Sequence, residues 1–182
     1  MVCLDHVAIL VESVDKSLQL IKDLNFETGD INVYPGEGTK EIYIGSDKQS
    51  ARLLLIEAIA EGPYQKALFK RGTGLHHIAI NVNSFDDYLE KLNESGWYLH
   101  LHSWQSQKHH TLWLSRAGLP LLIELNEIYD ESVEKNCFIK TVQWDYSGYE
   151  KLIDRLGLTE LKKGKDMLFE TEKHTLSLLD IL

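Results

Sequence analysis

The sequence predicts an α+β protein: two tandem βαβββ modules form a curved, mixed-sheet cup, and a third βαβββ-like half-module follows them. Three observations predict this. Leu4-Asp5-His6-Val7-Ala8-Ile9 is answered by Leu75-His76-His77-Ile78-Ala79-Ile80, and the two histidines lie 77 − 6 = 71 residues apart. So long a period marks a duplicated module rather than a short repeat. Each copy runs on into the same succession of one helix and three strands. A fainter copy begins at Cys137-Phe138-Ile139-Lys140, and the spacing 13 − 6 = 84 − 77 = 147 − 140 = 7 places Ser13, Ser84 and Ser147 alike after His6, His77 and Lys140.

The elements follow in order. Cys3 to Val11 is rich in Val, Ile and Leu, as a buried strand is. Ser13 is a helix N-cap, with Val14, Leu18, Ile21 and Leu24 at helical spacing behind it. Turn signals at Thr28-Gly29-Asp30 and Pro35-Gly36-Glu37-Gly38 separate strands near Ile31–Val33, Glu41–Ile44 and Ala51–Glu57. A connecting helix is expected over Gly62–Arg71, and Arg71-Gly72-Thr73-Gly74 then breaks the chain. The second module repeats the order: a strand over Leu75–Val82, a helix from Phe85 through Leu92, and strands over Trp97–Ser103, His110–Leu114 and Leu119–Leu125. Asp130, Glu131 and Glu134 belong to a solvated linker. The third module has a helix ending near Leu156 and strands near Leu158–Leu161, Met167–Glu170 and Thr175–Ile181. The expected units are therefore 1–130, as modules of about 1–61 and 73–130, and 137–182.

Composition excludes several classes of function. With 43% hydrophobic and 26% charged residues the chain has the makeup of a soluble globular protein. No apolar run approaches the ~20 residues that span a bilayer, and no signal sequence follows Met1, so the cytoplasm is the expected location. The formal net charge of −9, without a Lys/Arg cluster among aromatics, argues against a nucleic-acid or anionic-membrane partner. Cys3 and Cys137 lack paired metal-ligand spacing and read as buried thiols.

The chemistry-bearing residues are those that the repeat places together. His6 and His77 occupy equivalent positions on first strands. Glu124 interrupts the apolar run Leu121-Leu122-Ile123-Glu124-Leu125, where a buried carboxylate needs a cation or a strong hydrogen-bond network. If the two sheets curl toward each other, these three point into one cup. Two imidazoles and one carboxylate suit a divalent ion such as Zn, Co, Mn, Ni or Fe(II), with coordination positions left for a substrate. Overlaying Leu54-Leu55-Ile56-Glu57 on Glu124-Leu125-Asn126-Glu127 gives an offset of 124 − 54 = 70, close to the 71 of the histidines. A rival offset of 67 would pair Glu57 with Glu124. Strand alternation sends His76 to the face opposite His77, as a surface or supporting residue. His100, His102, His109 and His110 are further candidate ligands or bases.

The paired modules, with Asp5-His6-Val7-Ala8-Ile9, Arg71-Gly72-Thr73-Gly74-Leu75-His76-His77 and Leu122-Ile123-Glu124-Leu125, resemble the vicinal oxygen chelate superfamily. That group includes the glyoxalases, and within it the chain looks most like methylmalonyl-CoA epimerases, over about residues 1–130. The resemblance implies a divalent metal held by one residue from each first and each last strand. His6, His77 and Glu124 match three of those positions; the fourth falls on Leu54, which cannot ligate. It also implies a base within a Gly-x-x-Glu element, matched by Gly38-Thr39-Lys40-Glu41, which makes Glu41 the candidate catalytic residue. The expected function is that of a metal-dependent lyase or isomerase, epimerising an acyl-CoA by α-proton abstraction.

Two alternatives accompany this reading. Two histidines and a glutamate are also the facial triad of non-haem Fe(II) oxygenases, and extradiol dioxygenases share the fold. A non-catalytic small-molecule-binding protein is the other, favoured by Leu54 and by the third module, where Lys140 replaces the histidine. Lys66, Lys70 and Arg71 are the only basic residues singled out for a CoA. The third module's open sheet face needs cover, from the other modules or from a second chain, and a symmetric homodimer is expected.

Overall fold

In the first module, β1 (Val2–Val11) leads through Ser13 into α1 (Val14–Ile21), and β2 (Asn32–Tyr34), β3 (Thr39–Ile44) and β4 (Arg52–Ala58) follow. A linking helix, α2 (Pro63–Arg71), precedes the second module: β5 (Gly74–Val82), α3 (Phe85–Lys91), β6 (Tyr98–Leu99), β7 (Thr111–Arg116) and β8 (Leu119–Glu127). The last segment holds β9 (Ile139–Trp144), α4 (Glu150–Asp154), β10 (Leu161–Lys163), β11 (Leu168–Thr171) and β12 (Thr175–Ser177). The structure, a computed structural model, describes residues 2–101, 103, 111–128 and 136–182. No helix among them is long and apolar enough to cross a membrane.

Eight strands form one mixed sheet in the order β2-β3-β4-β1-β5-β8-β7-β6. Its centre is the antiparallel pair β1–β5, and each module contributes a parallel pair, β1–β4 and β5–β8. The halves are therefore related by a pseudo-two-fold axis between β1 and β5. Helix starts obey the same symmetry. The Ser13 hydroxyl accepts from the Lys16 N–H and that of Ser84 from Asp87, capping α1 and α3. Glu57 accepts from the Val14 N–H and Glu127 from that of Phe85, both at 2.9 Å. Each last strand thus holds the start of its own module's helix.

The register decides between the two overlays. Leu54 stands beside Ala8, two residues past His6, and Glu124 stands beside Ala79, two residues past His77. The offset of 70 is the correct one, and Glu57 serves as a helix cap rather than as the partner of Glu124.

The sheet has two apolar faces. The outer face carries Val7, Ile9, Leu53, Leu55, Ile78, Ile80, Ile123 and Leu125, none with measurable exposure, packed against α1, α3 and the last segment. The inner face is smaller: Ala8, Leu10, Leu54 and Ile56, overlaid by Tyr43 and by Tyr64, Ala67 and Leu68 of α2.

Residues 136–182 dock on the first two modules. Backbone bonds run from Phe138 N to Ser50 O and from Ile139 N to Ala51 O. The Tyr88 hydroxyl donates to Leu156 O at 2.9 Å, and Trp97 Nε1 donates to Leu152 O at 3.0 Å. Gly45, at φ +106°, lets Phe138 sit against its backbone, where a Cβ would lie 2.8 Å from the Phe138 ring. Of the two expected sources of cover for the third module, the other modules supply it here.

The last segment has the predicted βαβββ order of elements but a different strand order. Its sheet runs β10-β9-β11-β12, with the first strand between the second and third rather than beside the last. Its helix also starts later than predicted. Ser147 bonds Asp145 instead of capping α4, which begins at Glu150. The expected strand over Trp97–Ser103 shrinks to Tyr98–Leu99, and the expected strand at Thr175–Ile181 ends at Ser177 in a single 3-10 turn. Cys3 and Cys137 are free thiols, half-buried rather than buried.

Candidate metal centre

Two irregularities in the central strand pair shape the site. Between Leu4–Ile80 and His6–Ala79 the β1 strand carries one extra residue, Asp5; between Ala8–His77 and Ile9–Leu75 the β5 strand carries one extra residue, His76. Each is a β-bulge, which bends its strand and re-aims the neighbouring side chain. The bulges occupy equivalent positions of the repeat, immediately before the two histidines. They explain why alternation misplaces His76: it lines the same cavity as His77.

His6, His77 and Glu124 converge at the bottom of the cup. The two Nε2 atoms are 3.1 Å apart, Glu124 Oε2 is 3.3 Å from His77 Nε2, and 4.0 Å separates it from His6 Nε2. His6 is 4% exposed and His77 2%. Ligands bound ~2.1 Å from one ion stand roughly 3.0–3.4 Å apart at octahedral to tetrahedral angles. Two edges of the triangle have that length, and a small rotation of the carboxylate closes the third.

Both Nδ1 atoms are already engaged. Asp5 Oδ2 accepts from His6 Nδ1 at 2.7 Å, and Asn81 Nδ2 donates to Asp5 Oδ1 at 2.8 Å. His77 Nδ1 lies 2.9 Å from His76 Nδ1, and His76 packs on the Tyr64 ring with centroids 4.8 Å apart. Protons on the two Nδ1 atoms leave both Nε2 lone pairs aimed at one point beside a carboxylate oxygen. Such convergence can hold a cation, and the donor set fits a borderline divalent ion.

The electrostatics agree. Burial lowers the pKa of His77 against the pull of Glu124, so the ring is neutral and free to ligate. Burial, with Arg71 and His77 nearby, lowers His76 to about 3, so it is a neutral acceptor for a His77 Nδ1–H. Burial alone would raise Glu124, but its interactions with His77, His6 and the Asn126 amide outweigh it and hold the carboxylate ionised. Asn126 Nδ2 donates to Glu124 Oε1, and Thr111 Oγ1 in turn donates to Asn126.

The surrounding cavity has a volume of about 1150 Å³. Glu41 lines it on the first module's wall, where the Thr39 hydroxyl donates to its Oε1 at 2.7 Å. Burial raises the pKa of Glu41, with help from the Glu37 and Glu124 charges. Leu54, at the position equivalent to Glu124, presents an apolar surface to the same space. Of the other predicted histidines, His100 lines the cavity, while His102, His109 and His110 lie outside the described residues. Lys66, Lys70 and Arg71 line the side formed by α2, and Arg71 donates to Pro120 O at 2.7 Å, bridging α2 to the start of β8. Asp5 was not among the expected site residues, and His76 was expected only as a surface or supporting residue. Their one signal was the pair of polar residues at equivalent places in otherwise apolar strands.

Residues 5–113 match the family model of the glyoxalase/bleomycin resistance protein/dioxygenase superfamily. Among solved structures, a hypothetical protein from Bacillus halodurans C-125 has 25% identity over 73% of this chain and 99% of its own, with a TM-score of 0.58. Methylmalonyl-CoA epimerase from Mycobacterium tuberculosis has 25% identity over 68% of this chain and 86% of its own, with a TM-score of 0.53. A Streptomyces coelicolor methylmalonyl-CoA epimerase in complex with 2-nitronate-propionyl-CoA shares the fold at 20% identity, covering 70% of this chain and 97% of its own, with a TM-score of 0.54. No curated protein matches the chain. The duplicated βαβββ cup, the histidines on its central strands and a family match over more than half of the length agree: the chain belongs to the glyoxalase/bleomycin resistance protein/dioxygenase superfamily.

Proposed function

We propose that the protein is a metal-dependent isomerase that removes and returns the α-proton of an acyl thioester, as an acyl-CoA epimerase does. The observation that carries this reading is the division of carboxylates between the halves of one cavity. Glu124 is tied into the ligand cluster by His77 and Asn126. Glu41 lines the same cavity, accepts a hydrogen bond from the Thr39 hydroxyl, and has a raised pKa. A carboxylate ordered against a cation and a second one tuned toward proton transfer are a division of roles expected of acid–base catalysis.

In this reading His6, His77 and Glu124 would hold a divalent ion, which would supply Lewis-acid polarisation of the substrate carbonyl. Asp5 and His76 hold the two imidazoles in the ligating tautomer. Glu41 takes the α-proton, and its raised pKa lets it keep that proton until return. Leu54 and Ile56 with Tyr64 keep water from that side of the cup. Lys66, Lys70 and Arg71 offer cations to the phosphates of a CoA, and the likeness to the M. tuberculosis epimerase supports that substrate class.

The test is deuterium incorporation at the α-carbon of methylmalonyl-CoA in D2O, with metal-free and Co(II)-loaded protein. Exchange that requires metal and is lost in E41Q from the epimer that Glu41 deprotonates supports the proposal. Metal-loaded protein without exchange refutes it. A second reading rests on Leu54, which reduces the protein ligands to two histidines and a glutamate: an Fe(II)-dependent dioxygenase of the extradiol type. Oxygen uptake with a catechol by Fe(II)-loaded protein would establish it instead.

A further inference from the structure

Inverting a carbon centre requires a proton taken from one face and another delivered to the opposite face. Glu41 alone can exchange an α-proton but cannot epimerise. The pseudo-two-fold axis passes between β1 and β5 and relates β3, which carries Glu41, to β7 on the facing wall. The counterpart of Glu41 is Thr111: Glu41 pairs with Ile56 as Thr111 pairs with Asn126, and 111 − 41 = 126 − 56 = 70. The Thr111 hydroxyl is committed to Asn126 at 2.8 Å, and through it to Glu124. Trp113, the next lining residue of β7, sets its ring edge-on to His77 and carries no acid–base group. His100 follows β6, donates its backbone N–H to Trp113 O at 2.7 Å, and lines the same cavity as Glu41.

We infer that His100 is the acid–base partner of Glu41, placed on the opposite wall to address the opposite face of the α-carbon; this rests on the isomerase reading above. In one direction the Glu41 carboxylate takes the α-proton, and the electron pair of the broken C–H bond moves onto the thioester oxygen as the enolate. The pair then returns to the α-carbon and forms a new C–H bond with the proton of the His100 imidazolium on the other face. Glu41 ends protonated and His100 neutral, and exchange with solvent resets both. The other epimer uses the same groups in reverse order. Imidazole suits the role because it gives and takes a proton near neutral pH.

The two walls make a stereochemical prediction. Full-length protein loaded with Co(II) is given each epimer of methylmalonyl-CoA separately in D2O, and α-deuterium and configuration are followed. The variant H100Q should epimerise ~10²-fold or more slowly while still exchanging deuterium into one epimer. E41Q should exchange only into the other, and both should hold as much metal as wild type. A merely structural role for His100 would lower exchange into both epimers equally. That result at wild-type metal content, or wild-type epimerisation by H100Q, overturns the assignment. Exchange by wild type into neither epimer removes the isomerase reading and this assignment with it. Wild-type exchange with an unaffected H100Q removes the assignment alone.

Discussion

Leu54 and Glu124 occupy the same place in the two halves of the cup, each beside an alanine two residues past its module's histidine. Across the next strand Leu54 faces Tyr43 and Glu124 faces Trp113, and each aromatic ring packs edge-on to the nearer histidine, at 5.4 Å from His6 and 5.0 Å from His77. The halves keep the same frame and differ in the one residue that decides whether a fourth ligand is present.

Restoring that ligand should strengthen metal binding. Leu54→Glu places a second carboxylate at the symmetric position, and the dissociation constant for Co(II) or Zn(II) should fall about tenfold or more, ~1.4 kcal/mol. Calorimetric titration of apo-protein checks this. Unchanged affinity would mean that the cup is not symmetric about the ion.

Removing the carboxylate behind His6 should weaken it. Asp5→Asn keeps a group beside Nδ1 but loses the negative charge, and metal affinity should drop roughly 10–100-fold, the usual scale for such supporting residues. Asn81→Ala should produce a smaller loss through Asp5 itself. Metal titration with a far-UV spectrum of each variant separates this from misfolding.

Glu41 predicts a pH dependence of stability. Its folded pKa is raised, so the folded state holds that proton more tightly than the unfolded chain. The stabilisation is complete below the unfolded value of ~4.3 and is lost as pH rises through the folded value. Glu41→Gln lacks this dependence and can still accept from Thr39. In metal-free protein its Tm should exceed that of wild type at pH 7, and the gain should shrink as pH falls below the carboxylate range. Thermal melts across pH 3.5–8 (roughly the span of carboxylate and imidazole titration) test the sign.

The last segment should unfold with the rest. Phe169 is fully buried in β11 within the core shared by all three modules. Phe169→Ala should cost ~3–5 kcal/mol, and Tyr88→Phe, which strands the Leu156 carbonyl, ~1 kcal/mol. Chemical denaturation followed by both far-UV dichroism and tryptophan fluorescence should give coincident transitions.

Local pattern carried most of this structure. The repeated histidine strands, the serine caps at Ser13 and Ser84, and the half-buried Glu124 were readable because each follows from residues close together in sequence. The bulges at Asp5 and His76 were not, because a bulge is a relation between two strands and leaves strand alternation as the only local guide. That guide sent His76 to the wrong face. The strand order of the last segment was hidden for the same reason: β9 pairs with β10 and β11 rather than β12, and only long-range packing decides it. Glu57 resembled a ligand in one register and became a helix cap in the other, a choice that Ala8 and Ala79 make visible only once the strands are paired.

The central claim is that His6, His77 and Glu124 hold one divalent ion, and metal content tests it most directly. Wild type, His77→Ala and Glu124→Ala would be equilibrated with Co(II), desalted and analysed for metal and protein. About one ion per chain in wild type, lost from both variants that still fold, is the expected result. Wild type without metal, or variants that retain it, would contradict the claim.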